Sequence, residues 1–128
     1  MSAAGTDWAA VTAGAIRFAS GVSFLVAPAR ANALWGGEPE ESPTAQLLLR
    51  SMGYRDALIG GLLVAAGLRG GSRATGWFLA SAGADLADLL GGIANQGRMT
   101  ASQRVIGLGG AAAGIGIGVA GALRAARR

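Results

Sequence analysis

Three aspartates and three arginines stand inside segments that are otherwise apolar, and their types and spacing are what could do chemistry here. Arg17 lies in the run Trp8–Ala27. Arg50, Arg55 and Asp56 lie in Thr44–Leu68, and Asp85 and Asp88 in Ala74–Ala94. A charge at bilayer depth costs at least ~2.5–3.5 kcal/mol on insertion scales, so it persists where it is paired or lines a cavity. Two carboxylates one helical turn apart repel, and one tends to stay protonated near neutral pH unless an arginine compensates. Asp85 and Asp88 are therefore candidates for a proton-handling pair, with Asp56 as an alternative acid. Arg17 and Arg55 would tune them and bind the polar end of a ligand. Arg50, Tyr54 and Ser81 complete the candidate ligand-binding set. The same residues equally suit a structural network, in which forked Arg–carboxylate hydrogen bonds set helix register and keep the carboxylates ionised. Proton or ion passage is the third reading.

Helical periodicity supplies the elements that must position these side chains. Ser81, Asp85, Asp88 and Gly92 fall on one stripe of a helix. Ala10, Gly14, Arg17 and Gly21 form a comparable stripe, and Gly53, Asp56 and Gly60 line a third face, with Arg55 pointing about 100° from Asp56. At ~1.5 Å per residue from the inner end, Arg17 lies roughly 15 Å deep, Asp85 and Asp88 roughly 18 and 22 Å, and Arg55 and Asp56 roughly 20 Å. These heights predict one shared polar site. Arg50 lies nearer the outer surface, within reach of Asp88 or of headgroups by snorkelling.

Four apolar segments carry these faces, at about residues 8–27, 43–68, 74–94 and 105–123, each near the ~20 residues that cross a hydrocarbon core. Thr6 or Asp7 caps the first and Pro28 stops it. A loop follows over residues 29–42, with Glu38, Glu40, Glu41 and the pair Gly36-Gly37. Ser42-Pro43 reads as an N-cap and first-turn proline opening the second segment. Residues 69–73 form a tight turn and residues 95–102 a polar loop. The prediction is an all-α bundle of four transmembrane helices. Placing Arg69, Arg73, Arg124, Arg127 and Arg128 inside satisfies the positive-inside rule and puts both termini in the cytoplasm. Arg17 interrupts the first apolar stretch and no basic region precedes it, so it reads as a retained span and not a signal peptide.

Composition excludes several functions. The 128 residues are 52% hydrophobic and 14% charged, with 23 glycines, no cysteine and no histidine. Disulfides, thiol nucleophiles, Ser-His triads and the usual zinc, haem or iron–sulfur ligands are absent, so neither metal nor cofactor is predicted. The net charge of +4 comes from arginine alone, spread over loops and the tail with few aromatics. This argues against nucleic acid and directs the tail towards anionic membrane lipid. Arginine, alanine and glycine in place of lysine point to a GC-rich bacterial genome and the inner membrane. Gly110, Gly114 and Gly118 give small-xxx-small steps, which suit packing in the bundle, a homo-oligomer or a membrane-protein partner. Gly116–Gly121 matches G-x-G-x-x-G, but no strand precedes it and no acidic residue follows, so it is packing. Trp8, Trp35 and Trp77 sit near span ends, as interfacial tryptophans do.

Gly53-Tyr54-Arg55-Asp56 followed by Gly60, a first helix ending at Pro28 and the aspartates of the third segment resemble the small four-helix bacterial membrane proteins of the broad DoxX-like group. The resemblance implies a four-helix membrane bundle and little defined biochemistry. Three functions follow as expectations. One is a membrane protein that binds or processes a small lipid-soluble ligand, as an isomerase, cyclase or hydrolase would. The second is a non-enzymatic accessory or assembly subunit, and the third a transporter or proton-relay component.

Overall fold

The computed structural model describes residues 5–34 and 42–128, and among these the secondary structure is helical throughout. Helix α1 spans Trp8–Val26, α2 Pro28–Leu34, α3 Pro43–Arg69 and α4 Thr75–Asn95; a 3₁₀ turn, Gln96–Arg98, follows. Then α5, Ala101–Gln103, runs through a π-helical turn, Arg104–Leu108, into α6, Gly109–Ala126. Local chemistry explains the boundaries. Asp7 caps α1 by accepting from the Ala10 N–H, and Ser42 caps α3 in the same way with Pro43 in the first turn. Gly70 and Gly71, at φ of 73° and 66°, turn the chain out of α3 at angles that L side chains rarely adopt.

Two boundaries differ from expectation. Pro28 ends α1 but also opens α2, since proline's fixed φ suits a first helical turn, so residues 28–34 are helix and not loop. The last helical stretch begins at Ala101, because Thr100 and Gln103 form a reciprocal capping box. Trp35, the Gly36-Gly37 pair, Glu38, Glu40 and Glu41 lie outside the described residues.

Helices α1 and α3 run antiparallel and pack most extensively. Their close contacts step by seven residues in opposite directions. The Asp7 N–H donates to the Gly67 carbonyl at 2.8 Å. A Cβ on Gly14 would stand 2.6 Å from the Gly60 carbonyl oxygen, and one on Gly21 would stand 2.5 Å from that of Gly53. No side chain fits at such distances, so the glycines set the interaxial spacing. Contacts repeating every seven residues keep facing one another if the helices wrap in a left-handed sense. Arg17 and Asp56 lie midway between two of these steps.

The second pair is α4 with α6. A Cβ on Gly118 would come 2.9 Å from the Phe78 carbonyl, and one on Gly114 would overlap the Asp85 carboxylate. Gly114 and Gly118 are thus engaged within the chain, while Gly110 is exposed. Between the two pairs packing is sparse, with α3 and α4 in brief contact. A small apolar cluster of Ala10, Leu63, Ala66, Ala74, Phe78, Ala122 and Ala125 seals one end, with Trp77 packed against it. Trp8 is exposed at the start of α1, whereas Trp77 is half-buried.

Large apolar side chains face outward, among them Ile16, Phe18, Leu47, Leu58, Leu79, Leu86, Ile117 and Leu123, while Asp7, Asp56, Ser81 and Asp85 are buried. That distribution is the reverse of a water-soluble bundle and suits an apolar solvent. Three of the described helical stretches are long and apolar enough to cross a membrane: Trp8–Val26, Thr75–Arg98 and Ala101–Ala126. The chain is accordingly read as a membrane protein. Helix α3 is long enough, but Arg50, Arg55 and Asp56 keep it from qualifying by composition, so the count of four spans is three on this criterion.

Candidate functional site

Helices α1, α3 and α4 bring five of the charged residues to one place. Arg17 Nη1 donates to Asp56 Oδ1 at 2.8 Å, and its Nη2 donates to Asp85 Oδ2 at 2.5 Å. Arg55 leaves α3 on a different side from Asp56, yet its guanidinium folds back. Its Nε donates to the same Asp56 Oδ1 at 3.1 Å. Its Nη1 and Nη2 grip Asp88 as a fork, at 3.1 and 2.9 Å.

The result is an alternating series, Asp85–Arg17–Asp56–Arg55–Asp88, in which each guanidinium bridges two carboxylates. Its ends, Asp85 and Asp88, share one face of α4, so the series almost closes on itself, with a like-charge pair at the seam. The expected balance of three against three becomes two arginines against three aspartates. Arg50 is exposed and joined to none of these carboxylates, and Asp88 is held by Arg55 instead. With every group ionised the cluster carries one surplus negative charge.

The two ends differ in access. Asp56 and Asp85 are buried, and Ser81 is buried one turn before Asp85. By contrast, the Arg55 and Asp88 side chains are 33% and 40% exposed where α3 and α4 barely touch. Tyr54 is 62% exposed and faces away from the cluster. Residues two apart on a helix stand about 200° from each other round the axis, so when Asp56 is turned inward Tyr54 is turned out. Tyr54, expected to assist this site, thus stands outside the ion-pair series.

A second polar site was missed. Asp7, at the other end of the bundle, accepts from the Ala10 N–H and from Arg124 Nη2 through its Oδ1. Its Oδ2 is buried without a hydrogen-bond partner, 4.0 Å from Arg128 Nε, while Arg128 Nη2 donates to the Gly5 carbonyl at 2.7 Å. Burial pushes the Asp7 carboxyl up, but the Ala10 N–H, Arg124 and Arg128 together outweigh it and hold it below the usual carboxylate range. Arg124 and Arg128 clasp the start of α1. Asp7 was legible as a cap; its partners lie more than a hundred residues away, where no local signal reaches.

Among the described residues no group of histidine, cysteine, aspartate or glutamate is arranged to hold a metal ion. Chemically, the cluster can hold a proton at its surplus carboxylate, or fix a polar group at the Arg55–Asp88 edge. No curated protein and no solved structure matches the chain. The family comparison does not give the DoxX-like assignment suggested by the stretch from Gly53 to Gly60; in that stretch Gly53 and Gly60 are crossing glycines, a feature common to closely packed membrane helices and so not specific to one family. Residues 14–123 match the domain of unknown function DUF4267, and the chain belongs to that family.

Proposed function

We propose that this protein is a four-span bundle of the bacterial inner membrane with both termini in the cytoplasm, and that its Arg/Asp cluster holds the polar end of a small lipid-soluble ligand. The fourth span in this reading is α3. It lies alongside α1 from Gly67 at Asp7 to Gly53 at Gly21, so a bilayer crossed by α1 contains α3 as well, with Asp56 turned inward.

One observation carries the ligand reading: the Arg55–Asp88 pair is a third or more exposed in a belt of otherwise apolar surface, at the end of a series with one carboxylate in excess. A charge in that position is stabilised by a polar guest or by water. Asp88 then meets the ligand, Arg55 orients it, and Asp85 and Asp56, bridged by Arg17, share the one proton that offsets the surplus charge. Acid–base chemistry of the isomerase, cyclase or hydrolase type would use Asp88 as the exchanging group and Asp85 or Asp56 as its reservoir.

Native mass spectrometry of protein extracted gently from its own membrane tests this. The expected result is a small apolar molecule on the wild type that is lost from Asp88→Asn, a change that leaves both Arg17 ion pairs in place. Wild-type protein free of any small molecule, with a stoichiometric protein partner, would sink the proposal. That result would favour an accessory subunit, a second reading supported by the fact that all five cluster residues already satisfy one another.

A further inference from the structure

On the side of the α1/α3 pair that bears Tyr54 lies an apolar groove of about 490 Å³. Phe18, Val22 and Leu25 of α1 form one wall, and Tyr54, Leu58 and Leu62 of α3 the other, with Ala57 and Gly61 also lining it. The volume falls within the range of small-ligand sites, although the groove is open along its length. Its direction follows from the antiparallel register: Leu25 and Tyr54 mark the end nearer the start of α3, Phe18 and Gly61 the end nearer mid-bundle.

Arg50 stands one turn before Tyr54 on the same face of α3, beyond the Leu25 end. It is exposed, and among the described residues it is paired with no carboxylate. Seven residues into α3, it sits roughly 10 Å from the helix start and reaches the interface by snorkelling. A second, smaller groove, lined by Ala9, Ala13, Phe78, Ile117 and Gly121, also has an arginine on its rim. That residue is Arg124, whose charge is taken up by Asp7.

We infer that the α1/α3 groove binds one anionic phospholipid, its acyl chain lying between Phe18 and Leu58 and its phosphate held by Arg50, with the Tyr54 hydroxyl as a second donor. Charge selects the lipid, since the walls are apolar and the cation stands at the headgroup end. This site is separate from the Arg/Asp cluster, which faces the opposite side of α3.

The test is lipid retention in mixed micelles of phosphatidylglycerol and phosphatidylcholine, read by native mass spectrometry. Wild-type protein should keep one phosphatidylglycerol in preference to phosphatidylcholine, by roughly fivefold for a contact of about 1 kcal/mol. Arg50→Gln should retain either lipid equally. Gly61→Leu should retain neither: a Cβ there meets the Phe18 ring at 3.5 Å, an ordinary contact, so the side chain fills the groove without displacing α1. Equal retention of the two lipids by the wild type would overturn the inference. So would an unchanged preference in Arg50→Gln, or a protein partner occupying this face in place of lipid.

Discussion

The chain contains two arginine–aspartate assemblies whose differences are instructive. The central one links α1, α3 and α4 through Arg17 and Arg55, each of which bridges two carboxylates. The terminal one gathers Arg124 and Arg128 around the single carboxylate of Asp7. In the centre negative charge is in excess; at the end positive charge is. Arg17, Asp56 and Asp85 are largely shielded from solvent, so each of their pairs matters chiefly because the alternative is an unpaired buried charge. The terminal clasp has Arg124 nearly half exposed, so solvent and salt share its work. Similar ion pairs thus serve as an obligatory joint in one place and an adjustable fastening in the other.

Breaking the central joint should have the largest effect. Arg17→Met leaves Asp56 and Asp85 without their shared partner, and removal of one side of a buried pair costs about 3–5 kcal/mol. Thermal unfolding in detergent should show this, and Arg17→Met combined with Asp85→Leu should recover part of the loss. If the double variant were no more stable than the single one, the pair would be passive.

Next comes the spacing that makes the joint possible. Gly21→Val places methyl groups against the Gly53 carbonyl and the Ala57 backbone and forces α1 from α3, at a cost of about 1–3 kcal/mol or more. Gly83→Ala on α4, where a Cβ would meet open space, should be close to neutral. Equal losses in the two variants would show that the glycine crossing is not what sets the interhelical distance.

The terminal clasp should give the smallest effect and one dependent on pH. Because the folded-state pKa of Asp7 is lowered, its contribution is fully present above the ordinary carboxylate pKa and is lost as pH falls through the lower folded value. Asp7→Asn keeps an N-cap but loses the charge, at a cost of about 1 kcal/mol near neutral pH. Wild type and variant should converge in acid and approach each other as salt is raised. A stability gap that is constant from neutral pH to below the carboxylate range would refute the clasp as an ionic one.

Much was legible along the chain because it depends on neighbours in sequence. Ser42-Pro43 announced the start of α3, and the stripes bearing Arg17, Asp56 and Asp85 followed from helical periodicity. The seven-residue steps of Gly14 and Gly21 against Gly60 and Gly53, which set the α1/α3 register, emerged only when the two helices were seen packed together. Pro28 misled because proline both ends one helix and begins another. Tyr54 lies two residues from Asp56, about 200° round the helix, so a place beside Arg55 in sequence did not bring its short reach to the cluster as the long Arg55 guanidinium was brought.

What the sequence by itself determined was the inventory and the faces: long apolar helices, the caps at Asp7 and Ser42, and the stripe on which each charge lies. The tertiary structure alone decided the partners. It excluded Arg50 from the cluster, folded Arg55 back onto Asp56 while forking it to Asp88, and brought Arg124 across the whole chain to Asp7. The physical reason is that periodicity specifies where a residue lies on its own helix. Which side chain it meets depends on how close two axes come, and here glycine and alanine at the crossings set that distance.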